Sequence, residues 1–247
     1  MRKRAGVALE STVVIPAYNE EPRIGATLVA VTQYLAGTGR PFEAIVVDDG
    51  STDATARIVQ ETAAGNPSIR LLRNRGNRGK GYGVRRGMLA GRGRLLLFSD
   101  ADLSTPIEEI EKLQAAIEGG YDIAIASRGL AESELEIRQP WWRERMGKAF
   151  GWLMRRLVLP DIRDSQCGFK LFTREASETV FSRLRVEGFA FDVEALAIAR
   201  RHGLKIAEVP VRWRHAPQSK VQAIRSPLSM LFDLLRIRWR AGRGLYD

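Results

Sequence analysis

The chain has 247 residues, 45% hydrophobic and 28% charged, enough for a sizeable buried core and with no low-complexity tract that suggests disorder. Cys167 is its single cysteine, and His202 and His215 are its two histidines, which excludes an internal disulfide, a thiolate cluster and a histidine-rich metal site. The net charge of +10 is concentrated: residues 138–160 carry +5 and residues 212–247 carry +6, leaving −1 for everything else. Such surfaces attract nucleic acid, anionic lipid or phosphorylated substrates.

Residues 11–127 alternate strand and helix patterns. Ser11–Pro16 reads as a strand, and Pro22 suits the first turn of a helix running to about Leu35. Phe42–Val47 is a second strand, followed by a helix with Ser51 or Thr52 as N-cap and Asp53 in its first turn. Ile69–Leu72, Leu95–Ser99 and Ile123–Ala126 supply further strands, separated by helices near 80–91 and 106–118. This alternation predicts an α/β fold with a mostly parallel sheet and helices on both faces, its ligand beyond the carboxyl ends of the strands. After Arg128 the rhythm changes to an aromatic, basic helix over 138–159 and a polar loop over 161–173 that runs into a short strand. A helix over 191–202, a strand over Lys205–Val211 and an amphipathic helix over 228–240 follow. No repeat or Pro/Gly-rich linker divides the chain, so 1–247 is expected to be one domain. It comprises a donor half (11–127), an acceptor half (128–226) and a basic C-terminal helix (227–247).

Three strand exits carry polar chemistry, the first being Ile15-Pro16-Ala17-Tyr18-Asn19-Glu20-Glu21. Leu95-Leu96-Leu97-Phe98 delivers Asp100 and Asp102, and paired carboxylates in a cleft suit a hard cation, Mg²⁺ or Mn²⁺, whose shell phosphates complete. Asp48-Asp49-Gly50-Ser51 has two readings, a contact to a ribose or base edge, or a helix cap. Between Arg73 and Arg94 lie eight basic residues and no acidic one. Within that stretch Arg78-Gly79-Lys80-Gly81 suits a diphosphate at a helix N-terminus, with Lys80 as the contact, although the Walker A pattern is absent. Downstream, Asp164-Ser165-Gln166-Cys167-Gly168 is more polar than core packing requires, and Cys167 reads as a packed residue rather than a nucleophile. Asp192 and Glu194 open a helix where acids are favourable in any case.

At these residues the chain resembles the inverting family 2 glycosyltransferases of GT-A fold, and among them dolichyl-phosphate β-glucosyltransferases and their polyprenyl-phosphate relatives. The resemblance rests on IPAYNEE (15–21), VVDDGSTD (46–53), NRGKGYGVRRGM (77–88), DADLS (100–104), ASR (126–128), DSQCGFKLF (164–172), FDVE (191–194) and SKV (219–221). It implies that Pro16, Tyr18 and Glu20 line the base and ribose pocket, that Asp49 contacts the uridine, and that Lys80 and Lys220 lie near the diphosphate. Asp100 and Asp102 would hold the metal-bound diphosphate, with Asp102 the direct ligand. Mannosyltransferase relatives place Gln two residues after the second Asp as a further ligand; Ser104 stands there instead.

The implied reaction moves a hexose, glucose from UDP-glucose, to a polyprenyl or dolichyl phosphate with inversion. Arg128 and one of Arg138, Arg143 or Arg145 would hold the acceptor phosphate, and Gln166 joins Asp102, Arg128 and Asp192 as a catalytic candidate. GDP-mannose as donor and a sugar or other alcohol as acceptor are the alternatives, the latter requiring Asp192 as general base. A basic nucleic-acid-binding module would fit the charge but not three acidic strand ends, and no nucleic acid is expected as partner.

Eukaryotic members of the subgroup carry an N-terminal membrane anchor, whereas Met1-Arg-Lys-Arg lacks an apolar run and no stretch approaches a spanning helix. The expected location is the cytoplasmic face of a membrane, bound peripherally. Trp142, Met146, Phe150, Leu153 and Leu157 make one helical stripe, and Leu228, Leu231, Phe232, Leu235 and Trp239 a second. Such stripes either pack on the sheet or, with basic flanks, lie on an anionic membrane surface; the second arrangement is expected here.

Overall fold

The computed structural model describes residues 9–137, 151–214 and 227–247. Strands β1 (Ser11–Ala17), β2 (Phe42–Asp48), β3 (Ile69–Arg73), β4 (Leu95–Ser99), β5 (Ile123–Ser127), β7 (Phe169–Thr173) and β8 (Ile206–Pro210) form a seven-stranded sheet in the order β3-β2-β1-β4-β7-β5-β8. Strands β6 (Glu134–Ile137) and β9 (Arg212–Arg214) pair in a second, two-stranded sheet. The helices are α1 (Ile24–Gly37), α2 (Thr55–Gly65), α3 (Lys80–Ala90), α4 (Ile110–Glu118), α5 (151–157), α6 (Arg174–Arg183), α7 (Phe191–Arg201) and α8 (Pro227–Gly242).

The central strands of the large sheet, such as β1, β4 and β5, are buried and read as near-continuous apolar runs because both faces are covered. Alternation in β1 sends Val14 into one layer with Val47, Val84, Phe98 and Phe191, and Val13 and Ile15 into the other with Leu28, Val46 and Leu113. Helix α3 sits so close to β1 that a Cβ on Gly87 would fall 2.2 Å from Val14. That glycine therefore answers to helix–sheet packing rather than to a phosphate.

The sheet is mostly parallel as expected: four of its six pairings are parallel, and β7 alone runs antiparallel, to both β4 and β5. One expectation is corrected. Neither Ser51 nor Thr52 caps α2, which begins after Ala54. The Asp53 carboxylate accepts from Thr55 N instead (3.0 Å), and Ser51 Oγ accepts from Asn19 N (2.9 Å), fastening the β1 exit to the β2 exit.

Inversion of β7 positions the site. It brings the start of β7, and so the polar 164–168 loop, to the edge where β1, β2 and β4 end. Ser99 pairs with Phe169, and Gly168 O accepts from Asp100 N at 3.0 Å.

Candidate active site

Because β1 lies between β2 and β4, the three acidic exits are neighbours on one edge. Asp49 is buried, and its carboxylate accepts from Gly79 N (2.7 Å), from Arg78 N (3.0 Å) and from Asn74 Nδ2 (2.7 Å). It holds the 74–79 loop and thereby sets where α3 begins. Asp48, fully buried, accepts from Ser51 N (3.0 Å). Tyr18 is largely exposed at the β1 exit, Pro16 is half-buried, and Glu20 pairs with Arg23 at 2.8 Å.

Lys80 is the first residue of α3, and its ammonium lies 2.6 Å from Asp100 Oδ1. Burial works against that charge, but Asp100, Asp192 and Asp102 outweigh it and raise the Lys80 pKa above the ordinary lysine value. Asp102 is half-buried, with Oδ1 accepting from Ser104 N at 3.0 Å, and Leu103 between them adopts a left-handed φ of 44°. Such backbone in a non-glycine residue is held only by strong surroundings. Gly168 is required by Asp100, since a Cβ there would fall 2.0 Å from Oδ2.

Other charged groups at this edge are tied down. Arg128 donates from Nε (2.7 Å), Nη2 (2.9 Å) and its backbone N (2.9 Å) to the Asp164 carboxylate, and its guanidinium stacks over Trp213. Burial alone would raise the Asp164 carboxyl, yet the Arg128 charge and bonds hold it down at about 2. Asp192 is buried, 2.6 Å from the equally buried Lys170 ammonium. Burial raises the Asp192 carboxyl above the ordinary aspartate value, with Lys170 and Lys80 opposing without cancelling it. Gln166 is half-buried in the same loop, its backbone N donating to Asp164 (3.1 Å). Cys167 packs as expected: burial pushes its thiol up to about 11, far from a nucleophilic thiolate at neutral pH.

The structure therefore brings Asp49, Lys80, Asp100, Asp102, Gln166 and Asp192 to one edge, and engages Arg128 with Asp164 rather than leaving it as a free arm. Arg138, Arg143, Arg145 and Lys220 lie outside the described residues, as do Trp142, Met146 and Phe150. Lys170 was missed by sequence reasoning; the signal was a lysine inside an otherwise apolar strand, Phe169–Thr173, which needs a buried partner. A cavity of about 390 Å³ lies elsewhere, lined by Tyr82, Arg85, Arg183 and Leu245 among others. It contains none of the strand-end carboxylates, and chemistry rather than size marks the candidate site.

As a metal site, this edge offers the Asp100 and Asp102 carboxylates as hard oxygen donors, and no cluster of three ligating side chains occurs among the described residues. That donor set suits a Mg²⁺- or Mn²⁺-type ion that draws its remaining ligands from a diphosphate and water.

Comparison with known proteins identifies the family and the fold. Residues 12–181 match the model of "Glycosyl transferase family 2". The chain belongs to that family. It is 37% identical to the dolichyl-phosphate beta-glucosyltransferase of Dictyostelium discoideum, over 95% of this chain and 76% of the relative. The same-named proteins of Drosophila melanogaster (40%; 93% and 74%) and Homo sapiens (38%; 95% and 76%) are similar. Among solved structures, glucosyl-3-phosphoglycerate synthase from Mycobacterium tuberculosis with uridine diphosphate superposes at TM-score 0.66 and 21% identity, covering 97% of this chain and 82% of that one. Its complex with Mn²⁺, uridine diphosphate and glucosyl-3-phosphoglycerate gives 0.62 at 19% identity, covering 99% and 86%. At that identity the match establishes a shared GT-A fold. The protein is a glycosyltransferase.

Proposed function

We propose that this glycosyltransferase moves glucose from UDP-glucose to a polyprenyl or dolichyl phosphate, with inversion, at the surface of a membrane. The names of the relatives support the donor sugar and the acceptor class. The observation that carries the reading is the state of Asp192. An alcohol acceptor needs a general base, and the acid available for that role is buried against Lys170 at 2.6 Å. A phosphate monoester needs none, because its second pKa is near 6 and it is largely deprotonated at neutral pH.

On this reading the loop anchored by Asp49 fixes the start of α3, so that Lys80 presents its ammonium to the donor diphosphate. Asp102, with Asp100 beside it, would hold the divalent cation. When bound, that ion neutralises charge on the departing diphosphate as a Lewis acid. Tyr18 and Glu20 at the β1 exit flank the nucleoside side, and Lys220, Arg138, Arg143 and Arg145 remain candidates for the phosphates. Arg128 acts by holding Asp164 and hence the 164–168 loop.

Membrane attachment rests on α8. No helix among the described residues is long and apolar enough to cross a bilayer. Helix α8 buries Leu234 and Ile237 but exposes Phe232 (69%), Leu235 (45%) and Trp239 (54%), with Arg236 and Arg243 also exposed. Arg238 joins α8 to α5 through Leu157 O (2.7 Å), and α5 exposes Trp152 at 61%. Leu153 and Leu157 instead pack partly against the core, so the first stripe is a packing stripe where it is described. The outward α8 face suits an anionic interface, where each nearby basic residue contributes about 1 kcal/mol.

The test is purified protein with Mg²⁺ or Mn²⁺, a panel of nucleotide sugars and a short polyprenyl phosphate. Glucosyl transfer from UDP-glucose to the lipid phosphate is expected. Transfer only to an alcohol, or only from GDP-mannose, overturns the respective half of the proposal.

A further inference from the structure

Lys170 has no role in the chemistry described so far, yet among the described residues it is the most deeply buried cation at the catalytic edge. Its side chain is 1% exposed and points into the junction of three segments. The ammonium donates to Asp192 Oδ1 at 2.6 Å and to the Cys167 carbonyl at 2.6 Å, and it lies 5.0 Å from the centre of the Phe98 ring. Asp192 belongs to the first turn of α7, Cys167 to the 164–168 loop, and Phe98 to the strand that delivers Asp100 and Asp102. Lys80 approaches the same Phe98 ring at 6.0 Å and Phe191 at 5.9 Å. Two ammonium groups and two carboxylates thus meet around one aromatic pair, Lys80 on Asp100 and Lys170 on Asp192.

We propose that Lys170 is a positioning residue for transfer, acting through the 164–168 loop rather than by touching substrate. By holding the Cys167 carbonyl it fixes the next residue, Gly168, whose carbonyl accepts from Asp100 N and whose missing Cβ leaves room for the Asp100 carboxylate. By holding Asp192 it pins that loop to the start of α7. A buried lysine–aspartate pair is a poor choice for stability alone, since well-packed apolar residues in its place are often neutral or stabilising. Its placement at the seat of Asp100 gives it a different purpose: it keeps that carboxylate in register with Lys80 and Asp102.

This inference rests on reading Asp100 and Asp102 as the donor-diphosphate site. It is tested by comparing Lys170→Met, Lys170→Arg, Asp192→Asn and the double variant Lys170→Met/Asp192→Leu, all as full chains. Lys170→Met alone is expected to lower Tm, because Asp192 is left buried and uncompensated. The double variant is expected to recover Tm but not activity. Its kcat should stay at least about tenfold below wild type, with donor KM raised in step with weaker UDP binding. In calorimetry its affinity for UDP in saturating Mn²⁺ should fall, as Asp100 shifts. Lys170→Arg, which keeps the charge but not the compact ammonium, should fold and fall between the two in kcat. Asp192→Asn, which keeps a partner for Lys170, should stay within about tenfold of wild type.

A double variant with wild-type kcat and UDP affinity would show the pair to be structural only. If the double variant fails to fold, Lys170→Arg decides: wild-type kcat and UDP affinity there overturn the proposal. A wild-type protein that binds no UDP with Mn²⁺ would instead refute the donor-site reading on which the proposal stands.

Discussion

Asp102 and Asp192 are both acids at the same edge, and sequence gives each a claim to chemistry, but their surroundings differ in kind. Asp102 is half-buried at the end of a strand, with Oδ1 taking a local backbone bond and a strained residue following it. Asp192 is buried and sits on an ammonium. Asp164 resembles Asp192, held by three donors from Arg128. A carboxylate serves a ligand through the bonding capacity its own fold leaves open, and on that measure Asp102 is the acid we propose for ligand binding, while Asp164 and Asp192 are engaged by Arg128 and Lys170.

The sharpest way to break this contrast is Asp102→Ala. It should lower transfer by about 10³-fold or more, in the range of losing a main electrostatic contact in the transition state, with Tm unchanged. Near-wild-type turnover in saturating Mg²⁺ or Mn²⁺ would remove Asp102 from the metal site. Gly168→Ala comes next: its methyl displaces the Asp100 carboxylate, and a fall of about 10²-fold in kcat is expected, in keeping with the cost of misplacing a catalytic group by about 1 Å. Kinetics at or near wild type would show that Asp100 can relocate freely.

On the frame side, the Asp164 carboxyl drops from its ordinary 3.8 to about 2 in the folded protein. A depressed acid stabilises the fold above its unfolded pKa. About 2 kcal/mol should therefore be lost as pH falls from near 4 toward 2. Denaturant midpoints measured across that range should lose this component in Asp164→Asn. An unchanged pH dependence in the variant would mean the pair contributes nothing. The smallest expected effect is Phe232→Ser/Trp239→Ser, which should weaken recovery on anionic liposomes several-fold while leaving Tm within a few degrees. Equal recovery with wild type at low salt would detach α8 from the membrane reading.

Much of this architecture was legible in the chain. The strand exits at Asn19, Asp49 and Asp100 were marked by apolar runs ending in polar residues, and Leu95–Ser99 has the bounds its sequence suggested. What escaped has physical reasons. The direction of β7 leaves no trace in local sequence, because a buried strand is apolar whichever way it runs. Helix α6 is polar over most of Arg174–Arg183 and offered little periodicity, although Thr173, whose Oγ1 accepts from Ala176 N, is a readable N-cap. Strands β6 and β9 are short and charged, and they exist only because they find each other. The Arg128–Asp164 and Lys170–Asp192 pairs join residues 36 and 22 positions apart, a distance over which no spacing rule operates. The stripe read on α8 left out its packing face: Leu234 and Ile237 are buried, whereas Phe232, Leu235 and Trp239 of the stripe face out.

The Arg128–Asp164 clamp has a consequence for how such an enzyme diversifies. The chain leaves the large sheet after Ser127 and rejoins it at Phe169, and the clamp ties the two ends of that excursion at its base. With the neck closed, lengthening the interior of the excursion costs little, since loop entropy grows only slowly with length. The half proposed to handle the donor, from β1 to β4, lies entirely outside it. If the excursion carries the acceptor contacts proposed above, acceptor range is the evolvable property of this scaffold, and exchanging residues 129–163 between relatives should graft a new acceptor preference onto an unaltered donor site.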